Sequence, residues 1–189
     1  MHKSSSSEKI MEDIAKLQEE YYQNNQKNIF FKKSQKQDCA TMIASTIDKK
    51  TLFSRTLIIL PEKRIIYYDY TVFKTYMTPD IFDEFLEYEY NLTHEWVESV
   101  DTYELHLNIQ GLSISAFERY RSFIEKVLNR YPPISPTSVK MSMLHVYYTP
   151  SVIEQILKFL SPFIQHLRDK LIFYSKIDSP AKMKELFSV

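Results

Sequence analysis

The spacing of hydrophobic positions changes along this chain, and each change predicts an element. Apolar residues recur at helical intervals between Ile10 and Tyr21, which predicts a first helix over about residues 6–24. An aromatic-rich segment that opens with Thr78 and Pro79 predicts a second helix, which ends near residue 97. Between these two helices, clusters of apolar and β-branched residues predict strands at about residues 38–48, 55–60 and 65–70.

Strand-like and helix-like patterns alternate in the second half of the chain. Strands are predicted at 103–109, 139–148 and 170–174, with helices between them at 115–131 and 151–166. Because alternating strands and helices are joined by crossover connections, we predict an α/β fold with a mixed, mainly parallel sheet flanked by helices. Residues 1–37 are interpreted as an N-terminal helix with a polar linker, and residues 38–189 as one compact domain.

The predicted helix at 151–166 carries the broadest apolar face. Between Val152 and Leu167 its apolar side chains cover an arc of roughly 160° on a wheel of 100° per residue. Pro162 lies within this segment and is expected to kink the helix or to end its first half. Such a face suits either a helix packed into a core or a movable helix over an apolar cavity.

Charge and cysteine content restrict the class of protein. The chain has 24 Lys and Arg against 24 Asp and Glu, so it lacks the basic field that attracts nucleic acid. Cys39 is the only cysteine, so an internal disulfide is excluded, and we interpret it as a small buried residue. The first residues lack an apolar signal core, and no run of about 18 apolar residues occurs. We therefore expect a cytoplasmic protein, peripheral to membranes if it meets them.

Gly111 is the only glycine in 189 residues, where average usage of about 7% would supply roughly a dozen. It lies where the predicted strand 103–109 turns into the helix 115–131. A residue without Cβ can adopt positive φ at such a corner, so a steric role is favoured over ligand contact. A phosphate-binding loop would need further glycines at set spacings.

Signals for catalysis and for metal binding are weak. The segment from His94 to Glu98 resembles a zinc-protease helix but has Glu in place of the second His ligand. His106 and His145 lie on neighbouring predicted strands and could approach each other; hydrogen-bonded core residues are favoured over metal ligands. No nucleophile, base and oxyanion site can be assembled, so no enzyme, metal or cofactor is predicted.

Four short segments follow one another between residues 100 and 176. They contain Asn108, Gly111 and Ser113; Tyr131 and Pro132; Pro150; and Pro162 with Phe163. Their order and spacing resemble the CRAL-TRIO family of lipid-binding domains, which has D-x-x-G-x-S, Y-P-E, N-A-P and K-P-F-L segments in this order. Pro133 stands where that family has the Glu of Y-P-E.

The resemblance implies a sheet floor and a gate helix that enclose an apolar pocket for one lipid, such as a phospholipid or a phosphoinositide. Gly111 and Pro150 would mark corners of the fold, and Arg168 and Lys170 would be candidates for holding an anionic headgroup. The residues expected to line the pocket are Leu105, Leu107, Leu144, Val146, Val152, Ile156, Phe159, Leu160 and Phe163.

The expected function is to bind, and to transfer or present, a lipid or other small apolar ligand without chemical conversion. The expected partners are that lipid and, transiently, a membrane surface, and nucleic acid is not expected. The alternative is a protein-interaction or self-associating module of the same fold, a homodimer for example, whose cavity is filled by its own aromatic side chains.

Overall fold

A five-stranded sheet organises residues 3–188, the part of the chain that the computed structural model describes. The strands are β1 (Leu57–Leu60), β2 (Ile65–Asp69), β3 (Tyr103–Asn108), β4 (Met141–Tyr147) and β5 (Leu171–Phe173). The helices are α1 (Lys3–Asn24), α2 (Lys32–Thr46), α3 (Lys49–Thr56), α4 (Tyr70–Tyr76), α5 (Phe82–Ser99), α6 (Ile114–Arg130), α7 (Pro136–Lys140), α8 (Ile153–Ile164) and α9 (Ser179–Phe187). Short 3-10 helices occupy Pro61–Lys63, Pro79–Ile81 and Gln165–Lys170.

The strands lie in the sheet in the same order as in the chain. β1 and β2 are antiparallel and joined by a short turn that ends at Arg64, which has a left-handed φ of 54°. β2, β3, β4 and β5 are parallel to one another. The prediction of an α/β fold with a mixed, mainly parallel sheet is therefore confirmed. Because right-handed crossovers that advance in one direction stay on one side, the connecting helices share a face of the sheet.

Alternation along each strand separates two apolar clusters. Ile66 and Tyr68 of β2 belong to the large core between the sheet and the crossover helices. Ile65 and Tyr67, their neighbours in sequence, pack instead against Leu186 of α9. Successive side chains of a strand point to opposite faces, so α9 covers part of the face that the crossover helices leave open.

Aromatic rings fill the centre of the large core. The ring of Phe73 in α4 lies 4.9 Å from that of Phe123, 5.1 Å from that of Tyr120 and 5.8 Å from that of Phe85, measured between centroids. These distances suit the edge-to-face and tilted arrangements that aromatic pairs prefer. The cluster ties α4, α5 and α6 together above the strands.

The strand predicted at 38–48 is wrong, since these residues belong mainly to α2. The buried residues of α2 are Cys39, Ala40, Ile43 and Ala44, a spacing that places them on one side of a helix. The β-branched residues of the segment favoured a strand locally. Packing against α4 favours a helix instead, because a helix buries all four side chains on one side.

Two short helices without a sequence-based prediction begin at aspartates. Asp48 accepts a 2.8 Å hydrogen bond from the amide of Thr51 at the start of α3. Asp69 accepts one of 2.8 Å from the amide of Thr71 at the start of α4, which ends β2 one residue earlier than predicted. Both are helix N-caps, a signal present in the sequence.

The C-terminal half follows its predicted elements within a few residues. α8 continues past Pro162 to Ile164 and then tightens into a 3-10 helix. At the other end of the chain, residue 37 lies inside α2, and Ile14 of α1 is buried in the same core as the sheet. Residues 1, 2 and 189, which belong to the predicted ranges 1–37 and 38–189, lie outside the described residues.

Candidate functional site

An apolar cavity of about 360 Å³ lies between the sheet and the crossover helices. The strand residues in its lining include Leu57, Ile66, Leu105, Leu107, Leu144, Val146 and Leu171. The helices contribute Phe85, Tyr120, Phe123, Ile156, Leu157 and Leu160. Its volume falls in the range of about 300–1,000 Å³ that small-molecule sites occupy.

The cavity gathers six of the nine side chains expected to line a pocket, namely Leu105, Leu107, Leu144, Val146, Ile156 and Leu160. Val152, Phe159 and Phe163 are not among its lining residues. The side chain of Phe159 is 49% exposed and its ring stacks on Phe117 at a centroid distance of 6.0 Å. Phe163 packs against the edge of the core. The apolar arc of α8 is thus wider than the part of the helix that faces the cavity.

A small polar group lines the cavity beside its apolar walls, and the sequence analysis missed it. Glu89 of α5 and Tyr131 after α6 both contribute to the lining, and the Tyr131 hydroxyl donates a 2.6 Å hydrogen bond to Glu89 Oε2. Burial raises the pKa of the Glu89 carboxyl, while the hydrogen bond from Tyr131 and the charge of Arg130 oppose this effect. The sequence contains a signal for this position. Glu89 lies four residues after Phe85 and four before Thr93, so a helix places it on the same side as these two buried residues.

No protein-family model matches this chain, and neither a curated protein nor a solved structure shows significant similarity to it. Any function must therefore be inferred from the side chains themselves. Across residues 3–188, no helix combines the length and the apolar character needed to cross a bilayer.

The two headgroup candidates do not line the cavity. Lys170 Nζ donates to the carbonyl oxygens of Met141 at 2.6 Å and Ser138 at 3.5 Å, next to the end of α7. Arg168 is exposed and reaches the hydroxyl of Ser161 at 3.4 Å. Lys170 therefore satisfies backbone acceptors that the end of a short helix leaves free.

The two corner residues lie at the ends of β3 and β4 from which helices depart. Gly111 has a φ of +79°, and a Cβ placed on it would lie 3.1 Å from Nζ of Lys74. Pro150 is buried, and its carbonyl accepts a 3.0 Å hydrogen bond from the amide of Ile153. Tyr148, just before it, has a φ of +56°, so both corners use left-handed backbone.

A second cluster of polar side chains lies on the sheet face opposite the cavity. His106 and His145 are brought together, with ring centroids 4.3 Å apart and nearly parallel planes. Glu104 Oε2 lies 3.1 Å from His106 Nε2 and 3.3 Å from His145 Nε2. Burial lowers the pKa of both imidazoles, and Glu104 opposes this effect.

The loop between α1 and α2 exposes three large apolar side chains in succession. Ile29, Phe30 and Phe31 are all exposed, Phe30 to 92%. The surrounding stretch from residue 21 to residue 37 contains Lys27, Lys32, Lys33 and Lys36 and no acidic residue. An apolar tip flanked by positive charge therefore projects from a chain whose formal net charge is zero.

Proposed function

We propose that this protein binds a lipid or another small apolar ligand in the cavity between its sheet and its crossover helices, without converting it chemically. The observation that carries the proposal is the cavity itself, whose walls are aliphatic and aromatic side chains from all five strands and several helices. Removing an apolar ligand from water into such walls is favourable by about 25 cal/mol per Å². This agrees with the function expected from the CRAL-TRIO resemblance.

We assign the role of gate to α8. Ile156, Leu157 and Leu160 of this helix cover the cavity, while Phe159 on the same helix is half exposed. Pro162 has no amide hydrogen, so the carbonyl of Lys158 lacks its partner within the helix. A helix weakened in this way near its C-terminal end can swing away from the sheet at modest cost and admit a ligand.

Glu89 and Tyr131 restrict which polar groups a ligand can carry inside the cavity. A half-buried carboxyl with a raised pKa is a hydrogen-bonding group for a neutral polar atom, whereas a phosphate beside it would add a second negative charge. We therefore favour a ligand with a hydroxyl or amide group inside the cavity. If the ligand carries a phosphate, that group lies outside the cavity.

A second function, docking on an anionic membrane, is favoured by the loop between α1 and α2. Burying a phenylalanine side chain contributes about 1.5–3 kcal/mol, and each lysine near an anionic surface about 1 kcal/mol. Phe30 and Phe31 at the end of the loop, with Lys32 and Lys33 at the start of α2, supply both contributions side by side. Such docking would place the cavity close to a source of lipid.

The cavity proposal is tested by native mass spectrometry of the purified chain and by titration with a fluorescent fatty-alcohol probe. Leu160→Trp should fill the cavity and abolish probe binding while the far-UV spectrum stays that of a folded protein. Phe159→Trp, one residue away on the exposed side of α8, is the matched control and should bind as the unmodified chain does.

Two results would contradict the proposal. The first is equal probe binding by Leu160→Trp and Phe159→Trp. The second is a ligand-free homodimer in the mass spectrometer that binds no probe, which would favour the protein-interaction alternative.

A further inference from the structure

We propose that Glu104, His106 and His145 bind a divalent transition-metal ion, Zn²⁺ first among them, on the sheet face opposite the cavity. His106 of β3 and His145 of β4 are directly paired in the parallel register. Glu104 lies two residues before His106 and therefore on the same face. Among residues 3–188, these three side chains form the group whose ligand atoms lie within 4.8 Å of one another.

The distances already approach those of a tetrahedral site. Zinc bonds of about 2.0–2.1 Å place neighbouring ligand atoms roughly 3.4 Å apart. Glu104 Oε2 lies 3.1 Å from Nε2 of His106 and 3.3 Å from Nε2 of His145. One ring nitrogen of each histidine lies within 4.8 Å of the other, and the nearly parallel rings would have to tilt so that their Nε2 lone pairs converge on one ion.

A tyrosine hydroxyl holds the far nitrogen of each imidazole. Tyr147 Oη lies 2.7 Å from His106 Nδ1, and Tyr174 Oη lies 2.9 Å from His145 Nδ1. Nε2 of His106 donates to the Glu104 carboxylate in this structure. With an ion bound, Nδ1 would instead donate its proton to the hydroxyl, and Nε2 would direct its lone pair at the ion. Outer hydrogen bonds of this type orient the histidine ligands of metal sites and strengthen them as bases.

One of the candidate ligand atoms is not satisfied by a hydrogen bond. Nε2 of His145 is buried and meets no hydrogen-bond criterion, although Glu104 Oε2 lies 3.3 Å from it. A buried polar atom left in this state costs about 1–3 kcal/mol. A metal ion between Glu104 and the two imidazoles would satisfy it.

The donor set selects among ions. Two imidazoles and one carboxylate suit Zn²⁺ and its transition-metal neighbours, whereas Mg²⁺ prefers oxygen ligands alone. The side chain of Glu104 is 41% exposed, so water can reach the site and occupy a fourth position. The arrangement is independent of the cavity, which lies on the other face of the sheet.

The test is calorimetric titration of the untagged, chelator-treated full chain with ZnCl₂ and, separately, with MgCl₂. We expect one equivalent of Zn²⁺ to bind and Mg²⁺ not to bind. Glu104→Gln and His145→Ala should each weaken Zn²⁺ binding at least tenfold. His94→Ala removes a histidine that faces a glutamate at 3.6 Å on the exposed side of α5, and should leave Zn²⁺ binding unchanged.

Co²⁺ provides a spectroscopic readout, since its visible absorption reports the ligand geometry. Tyr174→Phe keeps the ring and removes only the hydroxyl beside His145, so it should shift the Co²⁺ spectrum and weaken binding by about 10–100-fold. Circular dichroism establishes that each variant is folded. Absence of Zn²⁺ binding by the unmodified chain, or undiminished binding by folded Glu104→Gln or His145→Ala, would overturn the proposal.

Discussion

The hydroxyl of Tyr131 donates a 2.6 Å hydrogen bond to Oε2 of Glu89, and both side chains line the apolar cavity. This contact joins α5 to the segment after α6 and gives the cavity a polar group. Burial raises the pKa of Glu89, so the folded chain favours the protonated carboxyl relative to the unfolded chain. The protonation of a side chain that lines the cavity is therefore coupled to folding, and folding stability should depend on pH.

Replacement of Glu89 should change the pH dependence of stability. Ionisation of Glu89 penalises the folded state as pH rises from the ordinary value of 4.5 through the raised pKa. Glu89→Gln should therefore unfold at higher urea concentration than the unmodified chain at about pH 8, and this difference should disappear as the pH falls below 4.5. Glu87→Gln, an exposed neighbour on α5, is the control. A difference that is constant with pH would contradict the linkage.

Gly111 should be required for its backbone conformation. At a φ of +79°, Gly111→Ala should lower the free energy of unfolding by about 1 kcal/mol or more, and Gly111→Val by more again. Gly111→Asn should cost less than Gly111→Ala, since asparagine tolerates positive φ better despite its larger side chain. Urea denaturation measures all three. A larger cost for asparagine than for alanine would point to crowding against Lys74 instead.

Membrane docking should depend on the loop between α1 and α2. Phe30→Ser should weaken co-sedimentation with phosphatidylserine-containing vesicles about tenfold or more, since an exposed phenylalanine loses its burial. Ile177→Ser removes an equally exposed apolar side chain, 88% accessible, from a different loop and should have no effect. Higher salt should weaken binding through the lysines. Equal loss in both variants would argue against insertion of this loop.

Lys170 should contribute to stability and not to ligand choice. Lys170→Met removes the 2.6 Å hydrogen bond to the Met141 carbonyl and should lower the free energy of unfolding by about 1 kcal/mol. Arg168→Met, on the exposed surface, should change it by less than about 0.5 kcal/mol. Binding measured with anionic and neutral lipids should stay equal in both variants. A selective loss of anionic lipid would support the headgroup role that the CRAL-TRIO resemblance implies for Arg168 and Lys170.

The sequence by itself determined the α/β class and most elements after residue 100. β3, predicted at 103–109, spans Tyr103–Asn108, and the helix predicted at 115–131 spans Ile114–Arg130. The hydrophobic pattern of these segments is unambiguous. Apolar residues recur about every second position in a strand with one polar face and about every 3.6 positions in an amphipathic helix. The single glycine could likewise be located at a corner from its neighbours alone.

The tertiary structure decided which faces meet. Residues 38–46 of the segment 38–48 form part of α2 because Cys39 and Ile43 are buried when this helix packs against α4. Of the apolar arc of α8, only part turned toward the cavity, which left Phe159 half exposed. Glu104 lies close to both imidazoles because parallel pairing places β3 beside β4. The side chains of Glu104, His106 and His145 also point to the same face of the sheet. Periodicity reports the face on which a side chain lies, whereas the neighbour it meets depends on elements distant in the chain.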